Sequence, residues 1–114
     1  MLIKANEARK KENSPWTIVW EYEIGSKELW FAIAHIDGRH PEIGKFTNHV
    51  CDEMYYVMWG EWIVHDENWE YAITEWDCFL FEKEKKFWVE GKKLKVALPT
   101  GPARSLEQYE EIHD

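Results

Sequence analysis

The sequence predicts an all-β fold organised as a single domain, and three observations carry that prediction. Between Pro15 and Pro102 the chain divides into eight to ten short runs rich in β-branched and aromatic residues. Gly, Asp, Asn and Pro punctuate those runs at close intervals. No stretch keeps the period of about 3.6 residues that a long amphipathic helix would show. Many short strands with frequent turns build a sandwich or a small barrel.

Taken in order, residues 1–14 read as a polar lead-in, with one or two helical turns around Glu7 to Glu12. Thr17 to Ile24 alternates as a strand and turns at Gly25-Ser26. Leu29 to Ile36 is nearly continuous in apolar residues and reads as a strand buried on both faces, ended by Asp37-Gly38. Arg39 to Gly44 reads as a loop around Pro41, with His40 on the surface. Phe46 to Val50 and Glu53 to Trp59 are strands, and Gly60 turns the chain into Glu61 to His65. Asp66-Glu67-Asn68 turns it again into Trp69 to Ile73, Thr74 to Asp77 is a further turn, and Cys78 to Phe81 a further strand. Lys85 to Val89 and Leu94 to Leu98 complete the sheet before Pro99 to Pro102 breaks it. Ser105 to Ile112 reads as a short helix, with Ser105 as N-cap, or as an extended tail; His113 reads as a surface residue. The expected organisation is a lead-in over 1–14, a barrel over 15–104 and a tail over 105–114.

Composition narrows the function classes. At 114 residues the chain is long enough for one core, and 45% hydrophobic content separates it from disordered sequences. Twenty-two acids against fourteen Lys and Arg give a net charge of −8, the wrong sign for a phosphate backbone, so nucleic acid is not an expected partner. No apolar run approaches the roughly 18 residues that cross a bilayer, and the charged start of the chain lacks a signal-peptide core. No membrane partner is expected, and a cytoplasmic protein is. Two cysteines do not make a disulfide framework, so Cys51 and Cys78 are expected as free thiols. Eight tryptophans are a surplus that calls for an aromatic pocket or an exposed adhesive face.

Thr47 to Gly60 carries the strongest motif: Thr-x-His, three residues, Glu53, six residues, Gly60. It resembles the first motif of the cupin family, His-x-His, three or four residues, Glu, six residues, Gly. The resemblance extends over roughly residues 17–102 and implies a double-stranded β-helix, or jelly-roll barrel. In cupins this motif helps hold a divalent metal such as Fe, Mn, Ni or Zn inside the barrel. Here Thr47 replaces the first histidine, while His49 and Glu53 stand at the other two ligand positions. The second motif falls on Glu75 to Gly91. Asp77 matches its opening turn, Glu82-Lys83-Glu84 replaces the Pro-x-Gly loop, Phe87 stands at the third histidine and Gly91 near the asparagine. Two of the usual four ligands remain, so no resident cofactor is expected and a metal on His49 and Glu53 is the alternative.

Strand alternation then defines an expected lining: Thr47, His49, Glu53 and Tyr55, with Trp62 from the next strand and Phe79, Phe81 and Phe87 from the second motif. A few polar groups among aromatic rings suit a small-molecule pocket. His49 and Glu53 are also the minimum for acid–base work, but nothing marks a nucleophile. The leading reading is a binding domain for a small apolar or aromatic ligand. One alternative is a metal-dependent cupin isomerase or dioxygenase using His49 and Glu53. Another is an interaction module or homodimer contact formed by Trp59, Trp69 and Trp76 at strand ends. Lost motif chemistry beside large aromatics at turn sites points to a scaffold altered by engineering or by sharp divergence.

Overall fold

The computed structural model describes residues 1–113 and contains nine strands with two short 3-10 turns. The strands are β1 (Arg9–Ser14), β2 (Thr17–Tyr22), β3 (Trp30–His40), β4 (Lys45–Asn48), β5 (Asp52–His65), β6 (Glu70–Ile73), β7 (Cys78–Phe81), β8 (Trp88–Gly101) and β9 (Tyr109–Ile112). The larger sheet runs β1-β2-β3-β8-β5-β6, with β7 pairing β5 beside β6. β4 and β9 form a second, two-stranded sheet, joined to the larger one by the Phe46–Phe87 bridge. Every pairing is antiparallel. Among the described residues no helix is long and apolar enough to cross a membrane.

Three features depart from the expected strand limits, each for a physical reason. Gly60 does not turn the chain: β5 continues through it at φ +97, with register shifts against β8 on both sides of Trp59. A side chain at Gly60 would meet the Lys93 carbonyl oxygen at 2.4 Å, so a bulge pressed on β8 needs glycine there. The bulge resets the alternation: Glu53, Tyr55 and Val57 face inward before it, and Trp62 and Val64 after it. Likewise Asp37-Gly38 does not end β3. A bulge there, with Gly38 packed against the Trp16 side chain, carries the strand on to His40. Lys85 to Val89 and Leu94 to Leu98 are not two strands either; β8 is one strand that pairs with β3 along one edge and β5 along the other. Its long antiparallel partners hold it extended through Gly91 and Pro99.

Both termini belong to the barrel. The lead-in has a 3-10 turn only at Ala5–Glu7, then pairs with β2 as β1, Lys10 opposite Trp20 and Lys11 opposite Val19. The tail makes a 3-10 turn at Leu106–Gln108, where the Ser105 N–H donates to Gln108 Oε1, and then pairs with β4 as β9. Gln108 ties this segment down: its Nε2 donates to the Ala103 carbonyl and its Oε1 accepts from the buried Cys51 thiol at 2.9 Å. Burial pushes the Cys51 thiol up, so it stays protonated as that donor. Cys51 and Cys78 are both free thiols.

Between the strands lies a core of Ala32, Ala34, Ile36, Val57, Val64, Val89, Leu94 and Val96, each at most 2% exposed. An aromatic cluster closes one end of it. Phe81 lies 4.4 Å from Tyr55, 4.8 Å from Phe79 and 4.9 Å from Phe87 between ring centroids, and Tyr55 stacks on Trp62 at 4.7 Å.

Candidate functional site

Beside this aromatic cluster, with Tyr55 and Phe46 on the boundary, the barrel is hollow. β2 contributes Thr17, Val19 and Glu21 at alternate inward positions, β3 ends there with His40, and β5 begins there with Glu53 and Tyr55. The C-terminal segment closes the wall with Arg104, Tyr109 and Glu111. The cavity has a volume of about 220 Å³. An outer vestibule of about 300 Å³ shares Lys11, Glu21, Trp30, Arg104 and Leu106 with it.

Three polar groupings line the cavity. In the first, His40 Nε2 lies 3.1 Å from the Tyr109 hydroxyl, which donates to Glu111 at 3.0 Å. With the Tyr109 proton directed at Glu111, the phenol oxygen accepts from His40 Nε2–H, and the imidazole keeps its lone pair on Nδ1. Burial pushes the His40 imidazolium down to about 4, helped by Arg104 and Arg39 and opposed by Glu111, so the ring is neutral at pH 7. Burial also raises the Tyr109 phenol well above its ordinary value, reinforced by Glu111. In the second, Arg104 Nε donates to Glu53 Oε1 at 3.2 Å. Burial pushes the Glu53 carboxyl up, and Arg104 opposes that push without overcoming it. Tyr55, beside them, is raised by burial and by Glu53 and stays a neutral hydroxyl. In the third, Glu21 accepts from Arg9 at 2.9 Å and pairs with Lys11 at 3.0 Å. Burial alone would raise the Glu21 carboxyl, but the two cations outweigh it and hold it below the ordinary range.

Of the eight residues expected to line a ligand pocket, Glu53 and Tyr55 do so. Trp62, Phe81 and Phe87 are buried in the aromatic cluster, with Phe79 partly buried against them, so they pack the core and do not line the cavity. Thr47 is buried on β4 with its hydroxyl unpartnered, outside the cavity lining. His49 faces away from the interior. The Asn48 side chain accepts the N–H groups of Val50 and Cys51, which turns the chain and breaks the alternation one residue before it would bring His49 inside. The His49 side chain is 44% exposed and lies 3.1 Å from Glu84 and 3.5 Å from Glu110. Its hydrogen bond to Glu84 raises its imidazolium.

The expected metal pair is therefore split between outside and inside. Among the described residues no group of three or more His, Cys, Asp or Glu could hold a metal ion. Glu53, the inward member of that pair, already faces a guanidinium where a metal would place its charge. The donor set does not fit a cupin metal.

His40, Tyr109, Glu111 and Arg104 lay outside the expected site. One signal for His40 was in the sequence: a residue preceding proline is held extended, which allows β3 to run through it. Trp59, Trp69 and Trp76 are surface residues, 46%, 68% and 69% exposed. Trp76 packs on Tyr56 with ring centroids 6.4 Å apart, and Lys95 Nζ sits 4.4 Å from the centroid of Trp59.

An antiparallel barrel of this topology, hollow and polar in one region, is of the double-stranded β-helix class. The chain adopts the cupin fold. No family model and no curated relative matches the sequence. Among solved structures, Streptomyces Pac13, described as a unique nucleoside dehydratase, superposes with a TM-score of 0.88 at 13% identity, over 99% of this chain and 91% of that one. Variants of Pac13 have been solved with uridine. KdgF from Halomonas sp. gives a TM-score of 0.73 at 14% identity, over 91% and 96% of the two chains. An RmlC-like cupin from Shewanella frigidimarina NCIMB 400 gives 0.72 at 16%, over 90% of each. At these identities the likeness establishes the fold.

Proposed function

We propose that this chain is a cupin-fold acid–base enzyme of the dehydratase type, acting without a metal on a small hydroxylated ligand of the nucleoside class. The observation that carries the reading is the His40–Tyr109–Glu111 chain at the hollow end of the barrel, which runs from part-buried His40 and Tyr109 to Glu111 at the exposed rim. The extended overlap with Pac13, a nucleoside dehydratase, supports the ligand class. The polar lining favours a hydroxylated ligand over the purely apolar or aromatic one that the sequence suggested.

Glu111 holds the Tyr109 proton, Tyr109 fixes the His40 tautomer, and Nδ1 of His40 is the base. It takes a proton from a substrate C–H. The C–H electrons become the new double bond as the neighbouring C–O bond opens, and the leaving hydroxyl departs as water with the proton returned from His40. An imidazolium whose pKa is about 4 gives that proton back readily. Tyr55, kept neutral by burial, donates to a substrate oxygen, and the closed aromatic end keeps bulk water from entering behind the ligand.

The test is a uridine titration followed by intrinsic tryptophan fluorescence, together with mass spectrometry of a nucleoside panel for loss of water. Saturable binding, with His40→Gln abolishing water loss while leaving affinity within about threefold, is the expected result. Absence of both binding and water loss across the panel would overturn the reading.

A further inference from the structure

Arg104 is unusual among the cavity residues in how little of its donor capacity the protein uses. Its side chain is only 17% exposed. The guanidinium lies near two aromatic rings, 5.6 Å from the Trp30 centroid and 5.2 Å from the Tyr109 centroid. Among the described residues its one hydrogen bond is Nε–H to Glu53, so the terminal pair Nη1 and Nη2 donates to no protein acceptor. A guanidinium this enclosed, with its planar fork unfilled, carries a desolvation cost that an incoming acceptor relieves. The two aromatic rings and the Nε–Glu53 hydrogen bond restrict how the side chain sits, and the Nη pair is the part left for a partner.

Arg104 lines both the cavity and the vestibule, so it stands where the two spaces meet. Lys11 lines the same junction and supplies a second cation, held 3.0 Å from Glu21. The residues common to both spaces carry two cations, Lys11 and Arg104, against the one carboxyl of Glu21, with Glu53 and Glu111 in the cavity lining alone and Glu107 in the vestibule lining.

We propose that the natural ligand carries an acidic oxygen group, a carboxylate or a phosphate, bound by the Nη fork of Arg104 at the mouth of the barrel. This rests on the reading of the hollow end as the ligand site, and it narrows the ligand from a neutral nucleoside to an acidic small molecule. Planar bidentate pairing with two oxygens of one group is the geometry a guanidinium fork matches best, and it makes Arg104 the residue that sets specificity.

Two matched series test it by calorimetric titration: uridine with its 5′-monophosphate and its 5′-carboxylate, and glucose with glucose 6-phosphate and glucuronate. The expected result is an acidic member binding at least tenfold tighter than its neutral parent. That preference should disappear in Arg104→Gln and shrink in Arg104→Lys, which keeps the charge and loses the fork. The double variant Glu53→Gln with Arg104→Gln removes the unpaired carboxyl, so a melting temperature near wild type with the preference still absent excludes misfolding as the cause. The phosphate and carboxylate arms identify which source of oxygens is used. If glucuronate or glucose 6-phosphate is preferred while the uridine series is silent, the fork stands and the nucleoside reading fails. If uridine binds as tightly as its acidic derivatives, the nucleoside reading stands and the fork proposal is overturned. Silence in both series overturns both.

Discussion

The two ends of this barrel are built from the same strands and have opposite chemistry. On β5, Glu53 belongs to the hollow end and Trp62 and Val64, past the Gly60 bulge, to the filled one, while Tyr55 is the boundary between them, lining the cavity and stacking on Trp62. The filled end is packed by Phe79, Phe81, Phe87 and Trp62, with ring centroids 4.8–6.0 Å apart. The hollow end keeps an imidazole, three carboxyls, a guanidinium and two phenols around empty space. The contrast shows stability and function separated along one molecule. Apolar burial concentrates where nothing has to bind, which lets the other end tolerate enclosed polar groups that contribute little to folding.

Three measurements can break or sharpen that contrast, in decreasing order of expected effect. Phe81→Ala removes the ring that touches five other aromatics. It should cost on the order of 3–5 kcal/mol in urea unfolding, the range for a truncated core aromatic. A loss under about 1 kcal/mol would show that the filled end does not carry the fold.

The second measurement concerns the hollow end, where pH should reach the fold through His40. Its folded-state pKa is depressed, from 6.5 to about 4, so between those values the unfolded chain binds a proton that the folded chain does not. Stability should therefore fall as pH drops from about 6.5 to about 4 and level off below. The drop is on the order of 2 kcal/mol, discounted for a ring that solvent partly reaches. His40→Gln should flatten that slope while leaving stability at pH 7 nearly unchanged. An equal slope in both proteins would place the titrating group elsewhere.

The smallest effect is expected at Trp76, which belongs to neither end. It holds a left-handed φ of +74 with its side chain 69% exposed. A non-glycine residue in that conformation costs about 1 kcal/mol. Trp76→Gly should therefore raise stability by on the order of 0.5 kcal/mol once the added chain entropy of glycine is subtracted, read as a shift of the urea midpoint. A clear loss would mean that the Trp76–Tyr56 contact is worth more than the strain.

The sequence by itself determined the fold class and much of the interior. Alternation along Glu53, Tyr55 and Val57, and again along Trp62 and Val64, is a local property of extended chain, and it correctly gave the inward face of β5. The Thr47–Gly60 spacing pointed to the cupin fold for the same reason, since it records a strand and its bulge. What the tertiary structure alone decided is the site. His49 was separated from Glu53 by an Asn48 turn whose side-chain hydrogen bonds override alternation. Arg104, Tyr109 and Glu111 lie about 50 or more residues from Glu53 in the chain and reach it only because β9 pairs with β4 and Gln108 fastens the intervening segment. Periodicity reports which way a side chain points along one strand. Which distant strand end closes over it depends on pairing and loop anchoring between segments, and no local pattern encodes that.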